Sequence, residues 1–274
     1  MDSLVYNIPL SMVAAYRGRR LIVRAHNPAE VPESLTGEDL QGVACLQVVS
    51  SDVDLHPLMR WGAGVPLDLV VQEPERDLPM LYHWSPLLDS HPVRITVPVV
   101  SGFSKVAKLA AALNFAVKLH ADQPDPARVA EMLSLLHAYL HETTMSQPIE
   151  YFQSMFLAFY REDTVTLWSI QEEDPAFIRY LGADGKERLA RGEGMAKLGD
   201  DPASFVPELK RELESREAMC SRCEFFHHCV GYFQVPHGGY DCKEIKAVFR
   251  TLKEAADELR GDLASFPARG REGL

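Results

Sequence analysis

Four of the chain's five cysteines stand at Cys220, Cys223, Cys229 and Cys242, in the pattern C-x2-C-x5-C-x12-C. Cysteines retained only for packing scatter through a sequence, so this crowding points to a shared task. A C-x-x-C pair brings two sulfurs close enough to share one metal centre, and two further thiolates complete its coordination. Three fillings compete, of which a disulfide pair of pairs is disfavoured by a reducing compartment. A structural zinc ion takes four thiolates, but zinc modules usually supply a second C-x-x-C pair, which is absent here. An iron–sulfur cluster tolerates uneven spacing because it is larger than a single ion. Phe225, Phe226, Tyr232 and Phe233 fall in the same stretch and would give such a centre an apolar surround.

Composition narrows the setting. The 274 residues are 46% hydrophobic and 24% charged, which suits a globular chain of one large domain, or of one medium domain with a small appendage. A formal net charge of −11 argues against a nucleic-acid backbone or an anionic membrane as the main partner. No stretch is apolar enough to span a bilayer, and the start Met1-Asp2-Ser3-Leu4 lacks the form of a signal peptide. Clustered cysteines without a secreted framework lead us to expect thiols in a reducing, cytoplasmic compartment.

Between Leu21 and about residue 120, short runs rich in Val, Ile and Leu recur: 21–23, 43–49, 67–71, 93–100 and 115–119. They are too short for helices and read as strands. The stretches between them have the length of crossovers, which implies a parallel α/β sheet. A helix is expected from Ser104 as its cap, with Val106, Leu109, Ala110 and Leu113 on one face. Asp125-Pro126 opens a second helix, with Asp125 as N-cap and Pro126 in the first turn. A third covers 148–159. Residues 164–170 read as a strand, Glu172-Glu173-Asp174 as a solvated acidic face, and 187–201 as a linker. A helix resumes at Pro207, and another follows Cys242, with Ile245, Val248, Phe249, Leu252, Ala256 and Leu259 on one side. The tail from Pro267 is expected to be loose. The boundary falls near residue 163, giving units 1–162 and 163–274.

The segment Cys220-x2-Cys223-x5-Cys229, then Gly231 and Cys242, resembles the SPASM domain appended to radical SAM enzymes that mature peptides. The resemblance covers about residues 165–250. It implies one auxiliary [4Fe–4S] cluster with Cys220, Cys223, Cys229 and Cys242 as its ligands, leaving no iron open. The family's further cysteine would fall at Phe233, and its upstream cysteine half is missing. The N-terminal α/β run is similar in length to a radical SAM partial (β/α) barrel. It lacks C-x3-C-x2-C, having only Cys45 before Cys220, and has Ser50-Ser51-Asp52-Val53-Asp54 near where a glycine-rich turn would stand. The resemblance therefore implies a degenerate barrel without SAM cleavage. Its expected partners are a complete radical SAM peptide-modifying enzyme and that enzyme's peptide substrate.

Other residues have plainer readings. Cys45 sits in an apolar run and reads as core. His137 and His141, one turn apart, read as an exposed helix flank. His227, His228 and His237 lie within the cysteine loop, where four thiolates already suffice. Arg222 either offsets the charge of a thiolate-held centre or is a surface arginine. Arg24, Arg60 and Arg94 are placed to meet a peptide carboxylate at strand ends, although ion pairing with the surplus acids is the favoured reading. No Ser/His/Asp set, phosphate loop or dinucleotide fingerprint appears.

Overall fold

All five of the apolar runs form strands. The computed structural model describes residues 4–50, 53–143, 145, 147–190, 201–216, 218–235 and 237–265. The strands are β1 (Val5–Pro9), β2 (Arg20–Ala25), β3 (Val43–Val48), β4 (Leu67–Val70), β5 (Val93–Pro98), β6 (Ala116–His120), β7 (Ile178–Leu181) and β8 (Glu187–Arg188). Reading from residue 21 onward passes over β1, whose five residues include Asn7 and Pro9 and so lack an apolar run.

The strands join one mixed sheet in the order β6-β5-β4-β3-β2-β1-β7-β8. Every pairing is parallel except the β7–β8 hairpin. From β1 to β6 each new strand is added on the same side of the last, as expected of a chain winding in one direction. At the β6 end, Val117 forms a parallel bridge with Ile149, and its N–H donates to the Pro148 carbonyl at 3.0 Å.

Side chains alternate across a strand, and register partners share a face. One face carries Ile8, Val23, Leu46, Leu67, Leu69, Ile95, Val97, Val117 and Leu119, all buried. Helix α1 (Phe103–Ala112) lies against β5 and β6 with Val106, Ala107, Ala110 and Ala111 buried. It begins one residue before Ser104, after Gly102 at φ +83°, and no side chain caps it. A Cβ on Gly102 would meet Glu75 Cγ at 2.5 Å, so this tight entry needs glycine.

Helix α2 (Pro126–His141) starts as its sequence indicates: the Asp125 side chain accepts from the Arg128 N–H at 2.8 Å. His137 and His141 are exposed, their rings tilted against each other with centroids 4.5 Å apart. Helix α3 (Glu150–Arg161) follows. Residues 164–170 are not a strand. Thr166 accepts from the Ser169 N–H and starts the short helix α4 (Leu167–Ile170), so a local cap prevails over β-branched propensity. Helix α5 (Phe205–Ser215) starts two residues before Pro207. Helix α6 (Phe226–Cys229) is one turn, and α7 (Ile245–Ser265) packs on α2 and α3. Leu259, expected on the buried side of α7, is 38% exposed.

Residues beyond 163 thus supply β7 and β8 to the sheet and α7 to the helical layer. Most of the expected linker, 191–200, and the expected tail from 267 lie outside the described residues.

Candidate cysteine-lined site and the polar face of the sheet

The cysteine loop is shaped by three short turns. Cys220 and Cys223 flank a tight turn in which the Cys223 N–H donates to the Cys220 carbonyl at 3.0 Å. Cys229 ends α6, its N–H donating to the Phe225 carbonyl at 2.9 Å. Val230 (φ +44°) and Gly231 (φ +68°) then reverse the chain in left-handed geometry. For a β-branched residue that geometry is strained. A Cβ on Gly231 would stand 2.4 Å from Leu213 Cδ1 of α5. Cys242 sits just before α7, its carbonyl accepting the Lys246 N–H at 3.2 Å.

These turns bring all four cysteines to the wall of one cavity of about 960 Å³. Phe225, Phe226, Phe233, Tyr240 and Phe249 share that wall, and Phe225 and Phe233 both contact Phe249. All four thiols are free, with no disulfide among them. Among the described residues, no group of three or more His, Cys, Asp or Glu side chains is placed to hold a metal ion.

Electrostatics act on three of the four thiols. Burial pushes Cys229 up to about 12, against the pull of the Phe233 and Tyr232 backbone N–H groups. Burial also raises Cys220 and Cys242, whose thiolates would repel each other, while Lys246 favours both in the charged form. Gln234 fixes Cys242 from the side: its Nε2 donates to Sγ at 3.4 Å and to the Tyr240 carbonyl at 2.8 Å, and its Oε1 accepts from the Gly239 N–H at 2.9 Å. A metal or cluster would replace the thiol protons and remove the penalty of burying them. The donor set, four sulfurs with amide and ammonium groups turned toward them, fits a thiolate-held centre.

His227, His228 and His237 do not border the cavity. His228 Nδ1 is 3.0 Å from the Val165 carbonyl, and its ring meets Phe159 edge-on. Arg222 is exposed and likewise lies off the cavity wall.

The second concentration of chemistry is the other face of the sheet, which sequence reading did not assemble. Register places Arg24, Gln47, Asp68 and Arg94 in one row, with Thr96 and Lys118 in the next. Asp68 is fully buried and accepts from Arg94 (2.9 Å), Gln47 (2.9 Å) and Thr96 (2.6 Å). Arg94 also pairs with Glu150 at 3.0 Å and Glu172 at 2.8 Å, and Lys118 donates to Glu172. Burial raises Glu172, but Lys118 and Arg94 outweigh it and bring the carboxyl down to about 2. Glu173 faces His120 at 2.9 Å.

The run Glu172-Glu173-Asp174 is therefore no solvated face: Glu173 is 4% and Asp174 7% exposed. A signal for this was present, since Arg94 and Lys118 interrupt apolar strands and a buried cation needs a carboxylate. Arg94 is ion-paired, whereas Arg60 is exposed. Cys45 lies on this face beside the Asp68 row, and burial, with Asp68 adding to it, holds its thiol well above the usual range.

One segment joins the two regions. Trp168 of α4 donates from Nε1 to the buried Val230 carbonyl at 3.1 Å, and its ring meets Tyr232 edge-on. Three residues later, Gln171 Nε2 donates to the Leu119 carbonyl at 3.1 Å, and Glu172 enters the ion cluster with φ +61°. Against known proteins, no family model, no curated protein and no solved structure matches the chain. No described helix is long and apolar enough to cross a membrane.

Proposed function

We propose that the chain is an accessory iron–sulfur protein with Cys220, Cys223, Cys229 and Cys242 as the ligands of one [4Fe–4S] cluster. The observation that carries this reading is that all four cysteines of the C-x2-C-x5-C-x12-C pattern border one aromatic-walled cavity and none is paired in a disulfide. A zinc ion would draw its four sulfurs to about 2.3 Å from one point. A cluster spreads its ligands over separate irons and so tolerates the uneven spacing of the four cysteines. Such a centre supplies one-electron transfer or structural cross-linking. The chain's part is to bury the sulfurs among aromatic rings, to hold Cys242 through Gln234, and to place Lys246 against the accumulated negative charge.

The sequential parallel sheet is compatible with a degenerate radical-SAM-like partial barrel ending in a SPASM-like module. Cys45 is the sole cysteine before Cys220, so radical initiation is assigned to a partner enzyme carrying C-x3-C-x2-C. The chain would serve that enzyme in ribosomal peptide modification, by passing an electron, by binding the peptide, or by both. Free thiols fit a cytoplasmic setting.

Anaerobic reconstitution with iron and sulfide tests the ligand set. A brown chromophore is expected in the wild-type chain and in Cys45→Ala, and its loss in Cys223→Ala. A chromophore that survives Cys223→Ala unchanged would remove that residue from the set. Tight, stoichiometric zinc in place of the chromophore would turn the reading to a zinc-stabilised peptide-binding scaffold.

A further inference from the structure

On the polar face of the sheet the basic side chains of β5 and β6 all face carboxylates, whereas β2 carries two arginines, the exposed Arg20 and the half-buried Arg24, with no ion pair among the described residues. Arg94 has three carboxylates, Lys118 has Glu172, and His120 has Glu173. Arg24, near the end of β2 and half-buried, donates from Nη2 to the Leu181 carbonyl, while its Nε is buried without an acceptor. None of the ion pairs among the described residues includes it. Burial lowers its pKa, with Tyr180 acting in the opposite direction. In a chain of net charge −11, an arginine half-buried in the sheet without a carboxylate stands apart.

A second unsatisfied group lies on the same face. Asn7 of β1 pairs in register with Ile22, two residues before Arg24, and is 1% exposed. Its Nδ2 donates to Gln47 Oε1 at 3.5 Å, but its Oδ1 has no donor. A half-buried cation and a buried acceptor left open on the same face of adjacent strands each carry a desolvation penalty that a matching ligand would relieve. Arg24 stands near the carboxyl end of β2, the end at which α/β sheets take ligands, and Asn7 lies at the middle of the neighbouring β1.

We propose that Arg24 and Asn7 anchor a carboxylate flanked by an N–H donor, as found at the carboxyl end of a peptide. The oxyanion meets the guanidinium, and the adjoining N–H meets Asn7 Oδ1. This names the peptide group that the function proposed above would handle. It stands on the ion-pair arrangement and not on what the cysteines hold, so a zinc result at the cysteines leaves it intact.

The test is NMR of the full-length protein with ¹⁵N-labelled arginine, titrated with N-acetyl-glycylglycine, with its carboxyl-terminal amide, and with inorganic phosphate. The Arg24 Nε–Hε signal is assigned by its absence in Arg24→Lys. The free acid is expected to shift it saturably, with the amide and phosphate binding at least about tenfold more weakly. Ligand-observed saturation transfer should show binding about tenfold weaker in Arg24→Lys, which keeps charge but loses the fork, and in Asn7→Leu. Equal responses to acid and amide, phosphate binding as tight as the acid, or affinity unchanged in both variants would each overturn the proposal.

Discussion

Asp68 shows what the sheet requires of its neighbours. A fully buried carboxylate is tolerable because Arg94, Thr96 and Gln47 all turn toward it. Replacing Arg94 by Met keeps the bulk but leaves that charge uncompensated. Chemical denaturation of Arg94→Met should show a loss of about 3–5 kcal/mol; a loss below about 1 kcal/mol would mean that water reaches Asp68. Glu172 has a signature of its own, because its folded pKa is held down to about 2 by Lys118 and Arg94. Its ordinary value is about 4.3, so the stability it adds is complete above that pH and is lost as pH falls toward about 2. Glu150 acts oppositely: burial raises it despite Arg94, so its contribution declines as pH rises past its ordinary range. Urea midpoints measured from neutral pH to about pH 3 should fall less steeply for Glu172→Gln than for the wild-type chain. Identical slopes would place the acid sensitivity elsewhere.

At the scale of elements, the stretch from Thr166 to Asp174 holds the two regions together. Its Trp168 grips the reversal after Cys229, and its Glu172 locks into β5 and β6. Trp168→Phe leaves the Val230 carbonyl buried without its donor, which should destabilise the chain by about 1–3 kcal/mol in equilibrium unfolding; an unchanged midpoint would show that the contact is dispensable. This element is also where the sequence misleads. Thr164, Val165 and Thr166 have β-propensity, yet Thr166 spends its hydroxyl on a cap, and the acidic side chains of Glu173 and Asp174 that follow are buried. Strands β2 to β6 and the Asp125 cap were legible because apolar runs and capping chemistry are local. The four cysteines were legible from spacing alone. The row Arg24–Gln47–Asp68–Arg94 was not, because register between strands is set by long-range packing that no single stretch encodes.

On the scale of the whole molecule, the sheet supplies a rigid floor and the residues after β8 supply the sulfurs. Phe225, Phe233 and Phe249 tie the cysteine loop to α7, which packs in turn on α2 and α3. A centre bound there adds its binding free energy to folding. The most direct measurement is iron, acid-labile sulfide and zinc determined together on anaerobically purified protein. The expected result is iron and sulfide in equal amounts, about four of each per chain, with negligible zinc. A colourless protein carrying one zinc and no sulfide would contradict it.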